Sequence, residues 1–274
     1  MKRFRVLSVV VFLISLSQAL TMACQQPSTL PNPSATRTLL ERLIAEVDFS
    51  TWVVESFKIS PDNRRMACAA TVGNKRLAVV DGLKGKEYDD AGGLIFSPDS
   101  KRVAYAATVG NKSLVVVDGV EGKEYDGAGG LIFSPDSKRV AYAVAVGNKW
   151  LVVLDGVEEK EYDGTSIPVF SPDSKRVAYA AKVGGKSLVV VDGVEGKEYD
   201  GTSVPVFSPD SKHVAYAVAV GSKSLVVVDG VEGEEYDAVL SMGIGKVVFD
   251  SPNSLHYLAV KSGNSIYLME ERLE

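Results

Sequence analysis

The chain has 274 residues, 46% hydrophobic and 24% charged, with a formal net charge of −5. That length and apolar content exclude a disordered chain and support one large domain. The acidic balance, which deepens once Lys2, Arg3 and Arg5 are set aside, argues against nucleic acid or an anionic lipid surface as partner.

The chain opens on those basic residues, continues through an uncharged apolar run over 6–20 and reaches small residues ending at Ala23, so 1–23 reads as an export signal. Cys24 follows Thr21-Met22-Ala23 and begins a polar, proline-bearing tether, 24–37. This arrangement resembles a bacterial lipoprotein lipobox, although Thr21 stands where that box carries Leu. Three fates stay open for Cys24: lipidation, plain cleavage before it, or retention of the signal as an anchor. Lipidation would tether the chain to a membrane without spanning it. No later run is long and apolar enough for a spanning helix. The folded domain is assigned to 38–274. Its first segment has two readings: Thr38-Leu39-Leu40-Glu41 forms a capping box before a helical apolar face, whereas 44–49 could instead be a strand.

A fixed period dominates the rest of the chain. Ile59-Ser60-Pro61-Asp62 is succeeded by Phe96, Phe133, Phe170 and Phe207, each opening Ser-Pro-Asp-Ser at a spacing of 37 residues, and a degraded copy begins at Phe249. The units opening at Phe96 and Phe133 agree at 27 of 37 positions, so each copy is one supersecondary unit. In the second unit, strand chemistry falls at 93–97 (a), 102–109 (b), 113–118 (c) and 123–126 (d), separated by turn residues. Pro98-Asp99 suits a type I turn, Gly110-Asn111 a tight hairpin, and Asp118-Gly119 a looser connection. Along Val103-Ala104-Tyr105-Ala106, large and small residues alternate, so a Val/Tyr face of one unit can nest on the methyl face of its neighbour. Each buried Val or Tyr would stabilise the array by about 1.5–3 kcal/mol.

Phe-Ser-Pro-Asp-Ser-Lys-Arg-Val-Ala-Tyr-Ala resembles the repeat of the TolB-like, WD-repeat-like bacterial propellers, a likeness covering about 52–270. The resemblance implies an all-β fold, a β-propeller of four-stranded antiparallel blades, and leaves function open, because related blades serve both as periplasmic scaffolds and as gating domains of prolyl oligopeptidase-like enzymes. Strands a, b and c recur six times but strand d only five, so the expected form is six-bladed, with 45–48 supplying the last d strand and both termini closing the ring. An open solenoid is the competing form.

Variation between units gathers at the b-to-c and d-to-a connections, at one end of the ring. Arg76 and Trp150 replace the serines Ser113, Ser187 and Ser224, and Lys182, Thr165, Ser166, Thr202 and Ser203 also depart from the earlier units. These seven residues are the candidate partner-binding set, against the plainer reading of drift in unconstrained loops. The recurring Asp89, Asp126, Asp163, Asp200 and Asp237 could form an acidic ring, or each could bond the backbone of its own turn. His213 and His256 take the slot of Arg102, Arg139 and Arg176 and read as surface residues; Cys68 replaces a strand tyrosine and reads as an inert core thiol. No nucleophile elbow, HExxH motif or phosphate-binding loop is present. The expectation is therefore an exported, non-enzymatic, monomeric interaction scaffold in the periplasm or at the cell surface, with a protein partner and no cofactor or metal. The alternative is a small-ligand or carbohydrate-acting propeller using an axial pocket.

Overall fold

The computed structural model describes residues 39–46, 50–240 and 246–274. The export signal, Cys24, the tether and 47–49 lie outside the described residues. The chain divides into two compact units, 1–42 and 43–274. Residues 39–46 form neither helix nor strand, so within them neither reading of that segment is realised.

Six antiparallel sheets follow one another along the chain, the architecture of a six-bladed β-propeller. Blade 1 comprises Trp52–Ile59, Met66–Val72, Lys75–Val80 and Leu83–Tyr88, paired in that order. Blade 2 has Asp90–Phe96, Val103–Val109, Lys112–Val117 and Val120–Glu121, and blade 3 has Gly127–Phe133, Val140–Val146, Lys149–Leu154 and Val157–Glu158. In blades 4 and 5 the first strand is split by the Thr-Ser-Ile-Pro and Thr-Ser-Val-Pro loops, giving Gly164–Thr165 with Val169–Phe170, and Gly201–Thr202 with Val206–Phe207. Proline lacks the N–H a continuous ladder needs at Pro168 and Pro205. Blade 6 consists of Ala238–Val239, Val248–Ser251, Ser254–Lys261 and Ser265–Arg272, the last pairing only with Ser254–Lys261 among the described residues. No d strand follows it there.

Two local expectations change. Asp118 and Gly119 have φ of 52° and 83° and sit between the partners Val117 and Val120. They form a tight two-residue hairpin of the I′ kind, whose doubly left-handed backbone matches strand twist, not a looser connection. Strand d consequently begins at Val120 and shrinks to two residues plus a bridge between Ser113 and Tyr125. The closure by strands from both termini is not found among the described pairings. Ala45 instead packs on the outer face of blade 1, against the cluster of Met66, Cys68, Ala70, Leu77 and Val79, and Leu258, Ile266 and Leu268 of blade 6 remain exposed.

Between blades, the large-on-small nesting holds. Val103, Tyr105 and Leu114 of blade 2 pack on Ala67, Ala69 and Ala78 of blade 1; apolar clusters join each later pair, with Ala141 in the one between blades 3 and 4 and Ala215 and Ala217 in the one between blades 5 and 6. Polar staples reinforce every boundary of the central blades. Asp99 N–H donates to Ser137 Oγ at 2.9 Å; Arg102 Nε donates to Asp118 in its own blade while Nη1 donates to the Ser137 and Lys138 carbonyls of the next, its guanidinium lying 5.2 Å from the Phe133 ring centroid. At the outer strand, Lys123 Nζ and Tyr125 Oη both donate to Glu158 of the following blade. Thus the signature residues of the repeat are connectors, and their identity follows from being needed at each boundary.

Ser137 carries one of these links from the left-handed region, with φ of 66°. Ser137→Ala removes the acceptor and keeps the strained backbone, so a loss of about 1–3 kcal/mol is expected in denaturant unfolding. Ser137→Gly loses the same bond but suits positive φ, so it is expected to cost less than alanine.

Candidate functional site

Antiparallel order places the b-to-c hairpins and d-to-a connections at one end of the array. There, a cleft of about 410 Å³ lies across blades 3, 4 and 5, lined by Trp150, Asp163, Gly164, Thr165, Ser166, Ala180, Ala181, Lys182, Ser187, Thr202 and Val204. Pairing explains the gathering. Trp150 is the second residue of strand c of blade 3 and bridges to Tyr162; Lys182 faces both Gly164 and Ser187 across its ladders; Thr165 pairs with Ala181. The stem of Lys182 lies over Gly164, where a Cβ would stand in ordinary van der Waals contact, 3.7 Å from Lys182 Cδ.

Of the seven residues singled out from sequence, the cleft brings together Trp150, Thr165, Ser166, Lys182 and Thr202. Arg76 lies apart, on blade 1, paired to Asp90 at 2.9 Å. Ser203 is absent from the lining, and its hydroxyl accepts from Ala217 N–H and donates to the Val204 carbonyl. Asp163, Ser187 and Val204 were not in that set. Ser187 stands 37 residues after Trp150 and Val204 beside Ser203, so superposing the units would have placed them at the same mouth.

Other cavities recur from blade to blade. Those at Arg139 and Asp192, at Arg102 and Asp155, and at Arg176 and Asp229 occupy the same place at successive boundaries and are lined by the staples. They come with the repeat. The cleft at Trp150 differs because it is built from departures: Trp150 where blades 2, 4 and 5 have serine, Lys182 where the other units have Thr71, Thr108, Ala145 and Ala219, and Thr165 and Thr202 where earlier units have Ala91 and Ala128.

Its electrostatics are equally particular. Asp163 is held below the usual carboxylate range, first by the bond from Lys149 Nζ at 2.6 Å and then by Gly184 N–H at 2.7 Å. Lys182 has no ion pair among the described residues. The side-chain oxygens of Thr165 and Thr202 are buried without a protein partner. Trp150 keeps 39% of its surface exposed and Val204 51%.

The recurring aspartates do not bond their own turns. Each joins blades: Asp126 accepts from Lys112 of its own blade and from Gly147 N–H of the next, and Asp89, Asp200 and Asp237 repeat the pattern. No cluster of three or more His, Cys, Asp or Glu suited to a metal occurs among the described residues. His213 Nδ1 contacts Asp229 and His256 Nδ1 contacts Asp250, both part exposed. Because it is shorter than arginine, His213 keeps the bond within its blade and drops the reach to the next. Cys68 is fully buried, and burial pushes its thiol up to about 11, as expected of an inert core group.

Fold and cleft together define a propeller-type repeat protein carrying a cleft lined by residues that depart from the repeat. No protein-family model matches the chain, and no curated protein matches it. Among solved structures, it is similar to TolB from Acinetobacter baumannii, at 18% identity and a TM-score of 0.40, over 66% of this chain and 55% of that one. It is also similar to the β-propeller domain of the Trilobed protease from Pyrococcus furiosus, at 15% identity and 0.41, over 77% and 78% of the two chains. A third likeness is to a eukaryotic initiation factor, at 11% identity and 0.47, over 74% and 60%. The chain thus spans about half the length of the TolB it resembles.

Proposed function

We propose that the protein is an exported, non-enzymatic interaction scaffold of the cell envelope, tethered through Cys24, that docks a protein partner at the cleft between blades 3, 4 and 5. One observation carries the reading: five residues that break the repeat in blades 3 to 5, Trp150, Thr165, Ser166, Lys182 and Thr202, line one cleft. Drift would scatter such changes over exposed loops, whereas a binding surface concentrates them. An exposed indole beside hydroxyls and a cation suits protein recognition, since Trp combines a large apolar area with little side-chain entropy to lose.

A photo-cross-linking residue placed at position 150 of the full chain in native envelopes is expected to trap one defined partner, and Lys182→Glu is expected to diminish the adduct. The same reporter at Lys212, on the opposite end, serves as the control. Identical adduct patterns from the two positions would overturn docking at the cleft. Secretion of a Cys24→Ser chain as a free protein in place of a membrane-associated one tests the tether.

A further inference from the structure

We infer that the cleft takes an acidic peptide segment, seating a carboxylate on Lys182 and a neighbouring apolar side chain against Trp150 and Val204. This rests on the protein-docking reading and narrows it to a partner chemistry. The recurrent lysines around the cleft are already engaged: Lys149 with Asp163 at 2.6 Å, Lys186 with Asp200 at 2.5 Å. Asp163, the carboxylate in the lining, is occupied by Lys149 and Gly184 N–H, and Lys182 has no ion pair among the described residues. An ammonium without an internal counter-ion is the local complement of a carboxylate, whatever the net charge of the chain.

The remaining wall sets the rest of the ligand. Trp150 and Val204 present apolar surface at the mouth, and the Thr165 and Thr202 hydroxyls lie unpaired beneath the lining. Neither hydroxyl is required by the blade, because Ala91 and Ala128 serve in the equivalent places, so their unpaired burial is unexplained by folding. A neutral sugar would call on free carboxylates and amides; the single carboxylate here is engaged, which favours the acidic peptide.

The chain holds two tryptophans, so Trp52→Phe leaves Trp150 as sole reporter. The probe is a synthetic octapeptide of alternating Leu and Glu, with a Leu/Gln counterpart and maltohexaose alongside. Saturable change in Trp150 emission is expected with Leu/Glu, weakened about threefold or more by Lys182→Ala and by a tenfold rise in salt. Calorimetry on the chain with both tryptophans should show the same binding, weakened about thirtyfold by Trp150→Ala. Absence of saturation at millimolar Leu/Glu, equal binding of Leu/Gln, indifference to Lys182→Ala, or binding of maltohexaose alone would each overturn the inference. If the cross-link at position 150 persists while the peptides fail, docking stands and the acidic chemistry falls; if both fail, docking falls too.

Discussion

Replacing Tyr142 with alanine is expected to destabilise the array by about 3–5 kcal/mol and to split its thermal unfolding into two transitions. Tyr142 is 5% exposed and belongs to the cluster joining blade 2 to blade 3, with Val115, Tyr125, Val140, Leu151 and Val153. Its ring packs on Val115 and Tyr125 of blade 2 with its hydroxyl beside Gly122, and alanine would empty that space. Because each blade touches only its neighbours, the loss falls on one boundary and uncouples blades 1 and 2 from blades 3 to 6. Cys68→Ala tests the same slot at the end of the array, where the boundary to a preceding blade is replaced by the packing of Ala45 and Trp52. There a loss of about 1 kcal/mol and a single transition are expected, since one sulfur is removed and no inter-blade boundary is cut. Scanning calorimetry separates the cases. A single, slightly shifted transition for Tyr142→Ala would mean that the blades do not couple through their tyrosines.

The same tyrosines show what sequence alone could disclose. The 37-residue period and the Val-Ala-Tyr-Ala alternation made the blades and their nesting legible, because side-chain period and turn chemistry are local properties. Two features were not local. The partners of Asp89, Asp126, Asp163, Asp200 and Asp237 lie one blade onward, about 21 to 26 residues away, so turn chemistry within a unit pointed them inward to their own backbone. The sixth blade posed the other difficulty. Counting strands exposed the missing d strand, but whether a distant segment fills that gap depends on pairing energies that a faint echo in 45–48 does not encode. For the cleft, sequence marked five of the residues that line it and also Arg76 and Ser203, since departure from consensus reports a difference without its location. Only the ladder register, which sets Lys182 opposite Ser187 and Gly164, separates the convergent departures from the isolated one.

Acid is expected to undo the whole array over a narrow range, beginning below about pH 5 and steepest through pH 4 to 3. Three families of carboxylates act between or beside blades. Asp62, Asp99, Asp136, Asp173 and Asp210 are held below the usual range first by the serine two residues before each of them. Asp89, Asp126, Asp163, Asp200 and Asp237 are lowered first by a lysine and then by a hairpin N–H of the next blade. Glu121, Glu158, Glu195 and Glu232 are lowered by a lysine and then a tyrosine of the preceding blade. A carboxylate whose folded pKa is depressed contributes stability that is fully present above its unfolded value, about 3.9 for Asp and 4.3 for Glu, and is lost as pH falls through the folded value. All three families therefore act in the same direction, and their repetition makes the decline steep although each exposed link is weak. Melting temperatures followed by circular dichroism should be nearly flat from pH 7 to 5 and fall sharply below. Asp99→Asn, Asp136→Asn and Asp173→Asn together keep an oxygen acceptor for Ser97, Ser134 and Ser171 but take up no proton, so the combined variant should show a shallower fall. General repulsion between the lysines and arginines left unneutralised at low pH would also unfold the chain, but that term is screened by salt, whereas protonation of a bonded carboxylate is not. A fall that disappears at high salt would assign acid lability to repulsion; one that survives salt and is blunted by the three asparagines assigns it to the staples.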